Sequence, residues 1–554
     1  MSTPPLHQSH LTNAATKIDA QVKSRPKDPA LWLPRQGSSI IRSWARALHG
    51  KTAPSGTSAG EMLTFEGLDL MARRAASLLM RHEVRPGDRI LLAVELSYDL
   101  YAWVLAATRL GASVLLVEPW LRLADIEKIL QSQNPRFFVA HTLGRLWGLR
   151  VPGVRRIPHK IDAQTLSHAP ARDHETVAVA ADDPCLIAFT SGTTGEPKGL
   201  VRSHGYLDAA LTVLNKNLHF DTISGADLVI FANFTLANLA NGRLSLIMPS
   251  RWSTEDIKAV DLLPTEFKPR SVTTGPAYMR ALFENSSLST LRHIHVGGAL
   301  TSNAFFEQLF VRFPEATITH LYGSSEVEPV AAIDAREAVL KSRARGFFHT
   351  LCVGQKIPEV ELKQVTPNSL WVSGPHVSPE YLGNSQANLN NKFRDSHGRL
   401  WHRMGDHVQA CDIGLNGQRF SPTGDLYYMG RDHQPLNLVL DEQRLYHLLG
   451  HDHAFLEPDL PEDLRPSTAA SKVSPPTSPT GQTSASYTLY LEPCAPGLQA
   501  PSLYPSREIS SLVQRVRSTI PRIRSVFITR ITRDKRHRAR IDRVASKAKA
   551  KKYV

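Results

Sequence analysis

From Thr64 onward the apolar positions alternate between two periods. Leu68, Met71, Ala72, Ala75, Leu78 and Leu79 recur at helical spacing, and after the turn Pro86-Gly87-Asp88 the run Ile90 to Val94 reads as a strand. A second helix starts near Tyr98 and stops at Gly111. Val114 to Val117 then reads as a strand, Leu123 to Gln131 as a helix and Phe137 to Ala140 as a strand. Such alternation predicts a parallel sheet covered by helices. The pattern resumes past residue 200, with apolar segments at Leu228 to Phe231 and Leu244 to Met248, a helix around Ala277 to Phe283, and strands at His293 to Val296 and Thr317 to Leu321. From about Gly354 short strands and turns take over, including Leu370 to Gly374, Trp401 and Leu426 to Met429, which predicts a smaller antiparallel or barrel-like unit.

Three stretches carry no firm period. Residues 1–60 are rich in Pro, Ser, Thr and His and read as a partly ordered lead-in, and residues 461–488 are dense in Pro, Ser, Thr and Ala and read as a flexible linker. Ser510 to Arg543 begins like a helix, passes through a short strand near Val526 to Thr529, and ends in a basic run.

Length and charge narrow the picture. A chain of 554 residues has room for several domains and an ample core. The net charge of +14 is local: Arg522 to Val554 holds 13 Lys/Arg against Asp534 and Asp542, which accounts for eleven of the fourteen. A tail of this kind can bind nucleic acid or an anionic membrane surface, or be a solvated end flanking a phosphate-handling segment. We read the last, with a weak anionic-membrane contact left open. The tail has almost no aromatics for base stacking, so no specific nucleic acid is expected. Cys185, Cys352, Cys411 and Cys494 are far apart and form no C-x-x-C pair, which indicates neither a zinc site nor a disulfide framework. No apolar run reaches about 18 residues, and the most apolar helix is interrupted by Arg109. A soluble, cytoplasmic protein is the expectation.

The candidate chemistry centres on Leu186-Ile-Ala-Phe-Thr-Ser-Gly-Thr-Thr-Gly-Glu-Pro-Lys-Gly-Leu-Val201, which reads as strand, loop and strand. Gly192 and Gly195 let backbone N–H groups turn toward an anion. Thr190, Ser191, Thr193 and Thr194 add hydroxyl donors, and Lys198 adds a compact positive charge. Pro197 before the lysine and Gly199 after it rule out a Walker loop, which needs Gly-Lys-Ser/Thr opening a helix. Gly297-Gly298-Ala299 follows a strand and suits either a flat ligand lying on backbone or a tight turn. Tyr322-Gly323-Ser324-Ser325-Glu326 places an aromatic face, two hydroxyls and a carboxylate at a strand end, fit for stacking on a base and holding a magnesium ion on phosphates. Asp406 and Asp425 each follow a glycine. Asp425 opens a strand, where a hairpin turn suffices, so ligand binding falls to Asp406, whose carboxylate can take both hydroxyls of a ribose.

In order, Thr-Ser-Gly-Thr-Thr-Gly-Glu-Pro-Lys-Gly, Gly-Gly-Ala, Tyr-Gly-Ser-Ser-Glu, Met-Gly-Asp and Gly-Arg resemble the adenylate-forming acyl-CoA synthetase and ligase superfamily. The likeness spans about Leu63 to Arg431 and the last thirty residues. Within it, Trp401-His-Arg-Met-Gly-Asp406, Glu326-Val-Glu-Pro-Val-Ala-Ala332 and Asp534-Lys-Arg-His-Arg-Ala-Arg-Ile541 look most like the β-lactone synthetases of bacterial olefin biosynthesis. The resemblance implies an α/β fold: two doubly wound, flavodoxin-like subdomains and a distorted β-barrel over residues 61–431, then a small mobile α+β domain over 432–554. It also implies ATP and Mg²⁺, with a carboxylic acid, such as a long-chain or β-hydroxy fatty acid, joined to AMP and pyrophosphate released. By the same resemblance residues 190–198 hold the β and γ phosphates, Gly297, Gly298 and Ala299 border the adenine, and Tyr322 stacks on it. Ser325 touches the α-phosphate, Glu326 holds magnesium, and Asp406 and Arg431 clasp the ribose.

The chain departs from that pattern at three places. Ser325 replaces a threonine and keeps its hydroxyl. Arg540 aligns with the late catalytic lysine and spreads its charge over a planar fork. After Arg431 the stretch to Asp441 contains Pro435 and lacks the glycine of the loop facing the pantetheine channel in thioester-forming members. Coenzyme A is therefore not expected as the second substrate, and a β-hydroxyl that captures the activated carbonyl within the same molecule would need no thiol.

Overall fold

The computed structural model describes residues 11–34, 60–118, 121–191, 197–249, 252–366, 369–411 and 424–431. Beyond these it describes segments 454–458, 487–491, 523–528 and 551–552, with residues 514, 516, 518 and 520. The expected linker lies outside the described residues except at Tyr487 and Thr488, which begin a strand.

The first alternating stretch builds a seven-stranded sheet. Across it run Tyr381–Leu382, Pro197–Ser203, Pro184–Ser191, Ser113–Val117, Arg89–Ala93, Phe137–Ala140 and His159–Asp162. The last five are mutually parallel, and the first two are added antiparallel at one edge. Phe137–Ala140 is buried at every position, as a strand covered on both faces must be. The helices between strands are set by their caps: Thr64 Oγ1 accepts from Gly67 N at 3.1 Å and Ser203 Oγ from Tyr206 N at 3.1 Å, fixing the starts of Phe65–Met80 and His204–Leu218.

A second sheet of eight strands runs Val327–Asp334, Thr317–Ser324, His293–Gly297, Pro269–Thr274, Ala226–Val229, Ser245–Ile247, Pro29–Pro34 and Gly60–Thr64. Its strands are parallel except at the two edges. One apolar cluster joins Ile90 and Val114 of the first sheet to Leu31, Val229 and Ile247 of the second. The helices Phe65–Met80, Tyr98–Arg109, His204–Leu218 and Ala232–Ala240 lie between them and contribute to it. The alternation predicts a parallel sheet covered by helices, and two parallel-centred sheets sharing a layer of helices is the doubly wound pair that the resemblance implies.

Residues 11–34 are part of this fold, where the aperiodic sequence suggested a lead-in. Leu31 pairs with Ser245 in parallel register and with Leu63 in antiparallel register, so Pro29–Pro34 is an interior strand. The helix Thr16–Ser24 supplies Asp19, which meets the buried Arg109 at 2.7 Å, and Asp69 meets the same guanidinium at 2.7 Å. The charge that interrupts the most apolar helix is thus compensated from two directions.

The short strands after Gly354 form two antiparallel sheets with a common core. One runs Cys352–Gly354, Asp425–Arg431 and Asp406–Cys411. The other runs Glu361–Thr366, Ser369–Ser373, Leu400–Arg403 and Lys392–Arg394. Val372, Met404, Val408 and Leu426 pack here with Tyr322, Val327 and Val330 of the second sheet, which brings the Tyr322–Glu326 stretch against the Met404–Asp406 turn. Ala454–Pro458, Tyr487–Leu491, Ile523–Ile528 and Lys551–Lys552 form a separate four-stranded sheet near the C-terminus.

Candidate active site

The cradle's two strands pair antiparallel, with Lys198 opposite Thr190 and Pro197 opposite Ser191. Their approach needs Gly199, since a Cβ there would come within 2.6 Å of the Phe189 ring. Gly192, Thr193, Thr194 and Gly195 lie outside the described residues, as do the side chains of Thr190 and Ser191. On its other side the second strand pairs with Tyr381–Leu382, Leu200 standing opposite Tyr381. That register brings the Lys198 ammonium over the Tyr381 ring at 5.3 Å from its centroid, and the Lys392 ammonium lies 5.2 Å from the same centroid.

Glu326 occupies the turn between Thr317–Ser324 and Val327–Asp334. The sequence pattern ends the strand at Leu321; in the structure it continues through Tyr322, Gly323 and Ser324 and returns as a hairpin. Gly323 fits because a Cβ would sit 2.9 Å from the Val327 carbonyl oxygen. Ser378 ties this turn to the cradle, its N–H donating to Glu326 O at 2.7 Å and its hydroxyl to Val201 O at 2.7 Å. The Tyr381 hydroxyl donates to Glu326 Oε1 at 2.6 Å. One aromatic ring therefore connects Lys198 to Glu326, residues 128 positions apart in sequence.

The electrostatics of this cluster favour an ionised carboxylate. Burial alone would raise the Glu326 carboxyl, but its positive surroundings and the hydroxyls of Tyr381 and Ser324 outweigh burial and hold it well below the usual carboxylate range. His402 is driven down, first by burial and then by Lys392, while Glu326 pulls it up. Its Nδ1 donates to Asn391 O at 3.1 Å. The buried cation that faces Glu326 is Lys392, whose ammonium donates to Ser378 O at 2.6 Å and whose pKa burial lowers to about 8 against the pull of Glu326.

Next to this cluster the Tyr322 hydroxyl donates to Asp406 Oδ2 at 2.8 Å, both residues being buried. Gly405, with φ of 68°, makes the left-handed turn that delivers Asp406 to the head of its strand, directly opposite Arg431 in register; the Arg431 side chain lies outside the described residues. Gly297 faces Leu321 across the sheet, where a Cβ would meet the Leu321 carbonyl oxygen at 2.8 Å, and Gly298 turns with φ of 79° toward the half-buried Ala299. The Gly297–Ala299 turn thus borders the strand that carries Tyr322. Ser324 accepts from Glu326 N at 3.3 Å, and Ser325 is half-buried in the same turn. Asp425 instead pairs with Lys341 at 2.5 Å, in keeping with a structural role. Arg540 lies outside the described residues. Phe234 and Leu239 are buried in the core between the two sheets.

Three members of the cluster, Tyr381, Lys392 and His402, carry no motif of their own. They meet through pairing between distant strands, and the only trace in sequence is His402 within the Trp401–Asp406 run. Tyr381→Phe removes a hydroxyl that donates to the Glu326 carboxylate at 2.6 Å. A hydrogen bond to a charged group contributes about 1.5–3 kcal/mol, so the concentration of Mg-ATP giving half-maximal pyrophosphate release should rise roughly tenfold or more, with a smaller change in maximal rate. Unchanged half-saturation would separate Tyr381 from Glu326 function.

Residues 41–382 match the AMP-binding enzyme family. An olefin beta-lactone synthetase of Xanthomonas campestris pv. campestris is 25% identical over 462 residues, covering 76% of this chain and 78% of that protein. A probable CoA ligase of Humulus lupulus is 25% identical over 430 residues, covering 70% and 74%. Among solved structures, the O-succinylbenzoate coenzyme A synthetase of Bacillus subtilis in complex with AMP shares the fold, with a TM-score of 0.70 and 16% identity over 98% of this chain and 100% of that one. The same synthetase with ATP and a magnesium ion gives a TM-score of 0.66 at 17% identity, over 95% and 97% of the two chains. The family match takes in more than half of the chain, including Lys198, Glu326 and Tyr381, and the chain belongs to the AMP-binding enzyme family of ATP-dependent, acyl-adenylate-forming ligases.

Proposed function

We propose that the chain joins a long-chain or β-hydroxy fatty acid to AMP and that a β-hydroxyl, where present, then loses its proton and closes on the activated carbonyl, breaking the acyl–phosphate bond to give a β-lactone and free AMP. In the first step a carboxylate oxygen attacks the α-phosphorus of ATP, the bond to the bridging oxygen breaks, and pyrophosphate leaves. Both reactants are anions, so the protein's task is positioning and cancellation of charge. The observation that carries the reading is the convergence of Lys198 and the ionised Glu326 on one tyrosine ring.

Lys198, with Thr190 to Gly195, would hold the leaving pyrophosphate. Tyr322 and the Gly297–Ala299 turn would bracket the adenine, Asp406 and Arg431 the ribose, and Ser325 the α-phosphate. A Mg²⁺ ion keeps most of its water and takes one or two carboxylates plus substrate phosphates, and a single ionised Glu326 fits that demand. When bound there it would supply positive charge to the phosphates.

The lactone-forming second step is supported by the Trp401–Asp406 run and by the stretch after Arg431, which contains Pro435 and lacks the glycine that thioester-forming members place there. Thioester formation with coenzyme A is the alternative, since a CoA ligase and a lactone synthetase stand at the same identity to this chain. Incubation with ATP, Mg²⁺, coenzyme A and a pool of plain and 3-hydroxylated fatty acids, read by mass spectrometry, distinguishes them. We expect acyl-AMP from both classes, lactone from the hydroxylated acids alone, and no acyl-CoA. Acyl-CoA in the mixture overturns the lactone reading. A second reading, ligand binding without turnover, is favoured by Arg540 where a lysine is usual. It predicts no pyrophosphate from any acid in the pool.

A further inference from the structure

The helix Thr142–Leu149 leaves an apolar side in solvent. Leu143, Leu146 and Leu149 stand three residues apart, on one side of the helix, and are 46%, 55% and 66% exposed. On the inner side Trp147 packs against the cluster that contains Leu130, Phe138 and Val154. The surroundings of the leucines are cationic: residues 141–160 contain five Arg/Lys and no Asp or Glu. Arg150, Arg155 and Lys160 are exposed, and Arg145 and Arg156 remain 56% and 60% exposed while paired with Asp162 and Glu127.

We propose that this helix and its basic flank dock the protein on an anionic phospholipid bilayer. An apolar stripe with a cationic border is the composition that lies in a membrane interface, the leucines entering the headgroup boundary and the arginines meeting lipid phosphates. A protein partner fits less well, because a stable interface needs about 800 Å² from each side and the stripe is three leucines on one short helix. Among the described residues no helix is long and apolar enough to cross a membrane, so docking would be peripheral.

The position of the helix adds a reason for such docking. It follows Phe137–Ala140 and so leaves the first sheet at the carboxyl end of a parallel strand. Pro184–Ser191, parallel to it, delivers the cradle at that same end, three strand spacings or roughly 14 Å across the sheet. A docked molecule would hold that end of the sheet near the lipid surface.

The test is co-sedimentation of the full chain with phosphatidylcholine vesicles, alone or with phosphatidylserine, at low and high salt. The unsubstituted protein should partition onto the serine-containing vesicles at least tenfold more strongly, and lose that preference at high salt. Leu143→Ser, Leu146→Ser and Leu149→Ser together, and separately Arg150→Glu with Arg155→Glu, should each lower partition at least tenfold while leaving the thermal midpoint unchanged. Binding by both variants that matches the unsubstituted protein would assign any membrane affinity to the basic C-terminal tail and overturn the proposal. So would a monomer–dimer shift in sedimentation velocity that the leucine variant abolishes, since the face would then join two copies of the chain.

Discussion

Lys198→Ala and Glu326→Gln each lower acid-dependent pyrophosphate release at saturating ATP by roughly 10²- to 10³-fold, the loss expected when one oriented stabiliser of transition-state charge is removed. The two variants differ in what else they disturb. Lys198 is half-buried, its ammonium over the Tyr381 ring, so its truncation leaves the fold nearly untouched. Glu326→Gln leaves the buried Lys392 facing an uncharged amide, which drives its pKa further below about 8 and destabilises the protein. Adding Lys392→Met to Glu326→Gln should therefore restore the thermal midpoint without restoring pyrophosphate release. Equal release from the unsubstituted protein and both single variants would remove the cluster from the chemistry.

The second large effect is a loss of stability in mild acid. His204, His295 and His320 are buried, and burial lowers their pKa values from 6.5 to about 4, 3 and 4. His204 Nδ1 accepts from Ala14 N at 3.2 Å, so protonation there would also break a tie to the N-terminal segment. The folded state binds fewer protons than the unfolded chain between these values and 6.5. The histidine contribution to stability is consequently level above pH 6.5, falls as the pH drops toward 4, and levels again once the folded imidazoles protonate. At pH 5 each such histidine costs about 2 kcal/mol, so the three together approach the net stability of a typical domain. His376 and His402, also lowered by burial, steepen the same slope. Denaturant unfolding at pH 7.5, 6 and 5 should show an uptake approaching three protons or more near pH 5, reduced by about one in His320→Gln. A midpoint constant between pH 7.5 and 5 would contradict neutral buried imidazoles.

The parts of this molecule legible in its sequence are those held by local periodicity. Phe65–Met80 and Phe137–Ala140 are written in apolar spacing, and the cradle's strands in the residues flanking a glycine loop. Pro29–Pro34 was not legible, because its place depends on pairing with residues some thirty and some two hundred positions away, and prolines at both of its ends hide it. The same reason hid Tyr381, Lys392 and His402, since strand pairing far along the chain determines what each one touches. The motifs single out Glu326 and Asp406, and of Tyr322 they suggest only a ring for stacking, whereas its hydroxyl reaches Asp406.

The clamp on Arg109 separates the recurrent family region from the physical folding unit. The family match begins at residue 41, whereas Asp19 and the strand Pro29–Pro34 lie upstream of it. A recombinant fragment started at that boundary would bare the hydrogen-bonding edge of Ser245–Ile247 and leave a sequestered guanidinium with half of its counter-charge. Expression work on this protein should therefore keep the chain from at least Leu11, whatever the boundary that homology alone would suggest.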